Sequence, residues 1–140
     1  MGETTTAIPE FASFTASNDT LRVYRDGKLV FSSQKDQLAP LVEYIDRFGG
    51  ERRGVVVFDK IAGNAAALLS VIAGAVEVHS PLGSELAIKT FERFGIKYHL
   101  VRTVPHIERA DGQGMCPMEK LSLGKEPEEF FRLIRQSRNG

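Results

Sequence analysis

Apolar and polar positions alternate at the start of the chain and then change period. Leu21-Arg22-Val23-Tyr24-Arg25 and Lys28-Leu29-Val30-Phe31-Ser32 flank Asp26-Gly27. That dipeptide favours the positive φ values of a tight hairpin, so the pattern predicts two antiparallel strands. Leu38, Leu41, Val42, Ile45 and Phe48 then recur at helical spacing, and Gly49-Gly50 ends the helix. Val55-Val56-Val57-Phe58 is a continuous apolar run, as expected for a strand covered on both faces. Ala65 to Ala73 is almost without polar positions and reads as a buried helix. Ala75-Val76-Glu77-Val78-His79 reads as a short strand. Ala87, Ile88, Phe91 and Phe94 form a helical stripe closed by Gly95, and Ile96 to Val104 alternates as a longer strand. A short helix is expected from about Pro117. A last one is expected near Pro127, with Glu128 and Glu129 suited to its first turn and Phe130, Phe131 and Ile134 docking it on the core.

A hairpin followed by βα units predicts an α/β fold: a three-layer α/β/α arrangement around a mixed five-stranded sheet, with helices on both faces. At 140 residues the length predicts one domain, 1–140, with a core over about 20–136 and a loose tail over 1–18 that Phe11 and Phe14 tack down in part. Met1 to Asn18 lacks the basic start and apolar centre of a secretory signal, and Ala65 to Val76 is too short to cross a bilayer. Lys plus Arg and Asp plus Glu both number 18, so no global field draws the chain to nucleic acid or an anionic membrane. Glu51-Arg52-Arg53 is short, and Arg132, Arg135 and Arg138 are diluted by acidic neighbours, which reads as a solvated face. One cysteine excludes an internal disulfide framework and fits a reducing cytoplasm.

That cysteine sits in Asp111-Gly112-Gln113-Gly114-Met115-Cys116-Pro117-Met118-Glu119-Lys120. Proline is well tolerated at the first helical position, which sets Cys116 at an N-cap, where unpaired amides and the helix dipole favour a thiolate. Glu119 is spaced to reach back as in a capping box. The plainer reading is a buried structural cysteine beside a turn.

Ligands of open α/β sheets collect beyond the carboxyl ends of the strands. This selects Asp59 and Lys60 after one strand, His79 and Ser80 after another, and the Cys116 loop after the last. Lys60, Gly63 and the helix start at Asn64 are a candidate anion site, although the P-loop spacing is absent. Asp59 is either a helix cap, a general base or an acceptor for a ligand's donor. His79 is either the base to Cys116 or a polar strand terminus. His99 reads as a surface or sheet-packing residue. His106-Ile107-Glu108 matches the H-x-E of zinc deaminases as letters only. The lone cysteine precedes its proline, and Met118-Glu119 stand where a second would be needed, so neither metal nor cofactor is expected.

Phe58-Asp59-Lys60-Ile61-Ala62-Gly63-Asn64-Ala65-Ala66-Ala67-Leu68-Leu69, together with Gly114-Met115-Cys116-Pro117-Met118-Glu119-Lys120, resembles the domain-of-unknown-function family 1893. The resemblance runs from about Leu21 to Lys125. It implies a cytidine deaminase-like scaffold without the deaminase zinc ligands. It carries Asp59, Lys60, Gly63, Cys116 and Glu119 over as site residues. Asn64 departs from the basic residue common after that glycine in similar sequences. Three readings follow. The first is a cleft that binds a nucleotide or similar small anionic metabolite through Lys60, Gly63, Asn64 and Glu119. The second is a thiol-dependent transferase or hydrolase using Cys116, Asp59 and His79. The third is a structural homo-oligomer joined through the hairpin edge or an apolar helix face.

Overall fold

The computed structural model describes residues 2–49 and 53–139, with side chains over 9–49 and 53–136. Gly50, Glu51, Arg52 and the side chain of Arg138 lie outside these. The hairpin forms as its sequence requires: β1 (Leu21–Arg25) and β2 (Lys28–Ser33) pair antiparallel around Asp26 and Gly27, both at positive φ. The rest of the chain alternates strands and helices. It runs β3 (Val55–Asp59), β4 (Ile61–Ala62), α3 (Asn64–Ala73), β5 (Ala75–Ser84), α4 (Glu85–Arg93) and β6 (Lys97–Val104). The other helices are α1 (Gly2–Ala16), α2 (Ala39–Phe48), α5 (Pro117–Ser122) and α6 (Pro127–Asn139).

Among the described residues the sheet has six strands, not the five expected. β1 joins β3 antiparallel, while β3, β4 and β6 all run parallel to β5. The extra strand has a simple origin. Phe58 faces His79 and Ile61 faces Leu82, so β3 and β4 keep one register along β5. They form one line interrupted at Lys60. The same offset sets Pro81 opposite Lys60, where proline has no N–H to give to a ladder. β5 itself continues through Ser80 and Pro81 to Ser84, beyond the end at His79 that the sequence pattern predicts. The Ser80 hydroxyl donates to the Leu82 carbonyl at 2.8 Å and accepts the Leu82 N–H at 3.2 Å.

Strand alternation divides the apolar residues between two faces. Leu21, Val23, Val57 and Val78 join Leu41, Leu68, Phe91 and Phe130 in one core beneath the later helices. The intervening residues Tyr24, Phe58 and His79 take the other face, where α1 covers Phe58 and His79. The rings of Phe11 and Phe14 lie 5.5 Å and 5.7 Å from Phe58, and Phe14 is wholly buried. The segment expected as a loose tail is therefore helical from Gly2 to Ala16, despite Pro9. Burial of two aromatic rings, about 1.5–3 kcal/mol each when complete, outweighs a locally weak helix sequence. The layers are accordingly unequal: among the described residues α1 packs on one face, while α2, α4, α5 and α6 gather around α3 on the other.

Candidate functional site

β3 ends at Asp59, β4 leads into α3, and the loop from β6 returns to start α5. Between these segments lies a cleft of about 760 Å³, of a size that suits small molecules. Asp59, Lys60, Gly63, Cys116 and Glu119 all line it, so the strand end and the cysteine loop do meet at one rim. Arg109, Ile107 and Met118 contribute further wall, with Gln37 and Leu38 from the approach to α2.

The Cys116 loop is held by backbone pairing. Cys116 N–H donates to the Ile107 carbonyl at 2.8 Å, Arg109 N–H donates to Gly114 at 2.8 Å, and Glu108 bridges Met115 antiparallel. Cys116 is the half-buried N-cap of α5, and its side chain makes no capping hydrogen bond. Pro117 opens the helix, as the sequence indicates.

Glu119 does not close a capping box on its own helix. Its carboxylate crosses to α3: Oε1 accepts the N–H of Asn64 at 2.6 Å, and Oε2 accepts the N–H of Ile107 at 2.8 Å. Glu119 is buried, and the positive end of the α3 dipole balances its charge. The helix start predicted to hold a ligand's anion is thus filled by the protein's own carboxylate. Gly63 serves that contact. A Cβ there would stand 2.8 Å from Glu119 Oε1 and 2.9 Å from Ile107 Cγ1. Asn64 is also committed, since its Nδ2 donates to Ser122 Oγ at 3.0 Å and its Oδ1 accepts from Thr90 Oγ1. These bonds tie α3 to α5 and α4 and turn the Asn64 side chain from the binding role expected of it.

Lys60 is occupied too. Its Nζ donates to the Ser17 carbonyl at 2.8 Å and lies 5.0 Å from the centre of the Phe14 ring, fastening the end of α1. Asp59 differs. Its carboxylate accepts a long hydrogen bond from the Ile61 N–H, 3.4 Å, and no described ion pair includes it. Burial pushes its carboxyl up to about 7, against the pull of the Ile61 and Lys60 amides.

His79 lies outside the cleft. It is buried beneath α1, with its ring 5.7 Å from Phe11 and 5.2 Å from Phe58. Its Nε2 is 2.7 Å from Glu77 Oε2, and its ring stacks on His99 at 4.4 Å. Of the two readings of His79, base to Cys116 or polar strand residue, the first lacks its contact: the described partner is Glu77. The cause is parity: Glu77 and His79 take the face of β5 opposite the core residue Val78, the face that α1 covers. Sequence reasoning missed Glu77 and His99 as His79's partners, although the Glu77-x-His79 spacing already places two of the three on one strand face. It also missed Arg109, which carries no motif of its own.

The family model that matches residues 12–137 is described as a domain of unknown function, DUF1893. A crystal structure of a DUF1893 family protein from Thermotoga maritima is 29% identical, covers 95% of this chain and 90% of its own, and superposes with a TM-score of 0.85. No curated protein matches the chain.

Proposed function

The chain belongs to the DUF1893 family, and on that footing we propose that it binds a small, donor-rich molecule of the nucleoside type in the cleft at Asp59. The carrying observation is the Asp59 carboxyl: it lines the cleft, lacks a cationic partner among the described ion pairs, and is held near neutrality. Such a group accepts the N–H donors of a base or amine, or exchanges a proton with it.

The charge of the lining refines the ligand class. Asp36, Asp59, Glu108 and Glu119 stand against Lys60 and Arg109, whose charges already meet Phe14 with Ser17 and Asp111. With Glu119 on α3, a phosphate finds neither a free helix start nor a free lysine. The base therefore carries the recognition, and a phosphate adds little. A cytidine deaminase-like scaffold is the finer form of this reading; a hairpin followed by βα units supports it. Zinc-dependent deamination is disfavoured by the single cysteine.

Thermal denaturation with cytidine, adenosine and their 5′-monophosphates tests the proposal, because a ligand bound only by the native state raises the midpoint. A nucleoside should raise it at least as much as its monophosphate, and Asp59→Asn should abolish the rise. Absence of any rise at millimolar concentrations overturns the reading.

A second reading adds chemistry at Cys116, supported by its presence in the same cleft as Asp59. A proton-exchanging carboxyl beside a thiol can serve a covalent step. The rate of Cys116 alkylation with and without ligand tests it. Slow labelling that ligand leaves unchanged argues against it.

A further inference from the structure

Glu77, His79 and His99 meet beneath α1, outside the cleft. We infer that these three side chains form a binding site for a first-row divalent transition ion of the zinc class. Strand geometry builds the site. Glu77 and His79 are two apart on β5 and share a face, and the parallel register sets His99 of β6 beside His79. One carboxylate oxygen and two ring nitrogens lie within 4.8 Å of one another. Glu77 Oε2 is 2.7 Å from His79 Nε2 and 3.1 Å from His99 Nε2. Ligands bonded to zinc at about 2.0–2.2 Å are themselves roughly 3–4 Å apart, so small side-chain adjustments admit the ion.

A hydrogen-bonded triad alone accounts less well for what is present. His99 Nε2 is shut off from solvent, yet among the described residues it makes no hydrogen bond; the Glu77 oxygen is near it but off the bonding direction. A buried nitrogen left unpaired is costly, and a shared cation would satisfy it together with its neighbours. Phe11 and Phe58 wall the His79 ring with apolar surface, and His99 stands on the more exposed side of the cluster. Two imidazoles with one carboxylate suit zinc, iron, cobalt or nickel; magnesium and calcium prefer oxygen sets. Three protein ligands leave a coordination position for water.

The test uses the full chain without a histidine tag, stripped by a chelator and titrated with Zn²⁺ by calorimetry and with Co²⁺ by visible absorption. About one ion per chain is expected, with cobalt ligand-field bands that Zn²⁺ abolishes. Glu77→Gln and His99→Ala should each weaken binding by about 100-fold or more, while His106→Ala and Cys116→Ala leave it unchanged. If Glu77→Gln fails to fold, the less buried His99→Ala decides. The absence of stoichiometric binding, or binding indifferent to His99→Ala, overturns the site and leaves an ordinary hydrogen-bonded triad.

Discussion

Gly63 and Glu119 fit one another: the carboxylate oxygen that caps α3 would stand 2.8 Å from any Cβ at position 63. Both Glu119 oxygens are fixed by backbone amides, so the carboxylate has nowhere to retreat. Gly63→Ala should therefore destabilise the fold by about 1–3 kcal/mol, as overpacking of a rigid contact does. Urea denaturation reads the loss. An unchanged midpoint means that the carboxylate yields after all.

Glu119→Gln tests the cap itself. The amide keeps the size of the side chain but turns one acceptor into a donor facing an N–H. One of Asn64 and Ile107 then lacks its partner, at a cost of about 1–3 kcal/mol. Amide hydrogen exchange should quicken at Asn64, Ile107 and Cys116 before it does so in β1 or β3. Uniform exchange would show that the effect is global.

The carboxyl of Asp59 gives stability a defined pH slope. Its folded value is raised from 3.8 to about 7, so the native state holds a proton that the unfolded chain releases. Between those values the folded state binds more protons, and stability falls as pH rises. The stabilisation from this group is complete below pH 3.8 and lost above about 7. Asp59→Asn should remove the slope and raise stability at pH 8 by on the order of 1–3 kcal/mol. Equal slopes in both proteins would contradict the assignment, which a carboxyl NMR titration checks directly.

Phe14 is the measure of how firmly α1 belongs to the fold. Wholly buried against Phe58 and lying under Lys60, it should cost about 3–5 kcal/mol when replaced by alanine. Far-ultraviolet circular dichroism should show lost helix, and the His79 ring resonances should shift as its cover loosens. A loss below about 1 kcal/mol would mean that α1 is only loosely docked.

Local signals in the sequence are those the structure returns most faithfully. Asp26-Gly27 makes its turn, Gly49 and Gly95 stand at positive φ just after α2 and α4, and Pro117 opens α5. Each depends on a few neighbouring residues. β4 was not legible, because two residues become a strand only through continuity with β3 along β5. α1 was not legible either: its threonines and Pro9 argue against helix, and the packing that stabilises it lies on β3. Glu119 is the sharpest case. Spacing within its own helix points to Cys116, yet the partners it takes are Asn64 and Ile107, one of them distant in the chain. The convergence of Asp59 with the Cys116 loop followed from the rule about strand ends. The departure of His79 from that site followed from side-chain parity, which can be counted on a strand once its facing helices are known.

The interruption at Lys60 has a mechanical meaning. A ribbon that halts for one residue and resumes on the same track leaves a notch whose two lips are anchored to a common rail. The lips cannot slide past one another, so whatever enters there meets a mouth of constant width. The opposite wall is the returning hairpin that Glu108 and Met115 close, so both sides of that mouth are tied by backbone pairing.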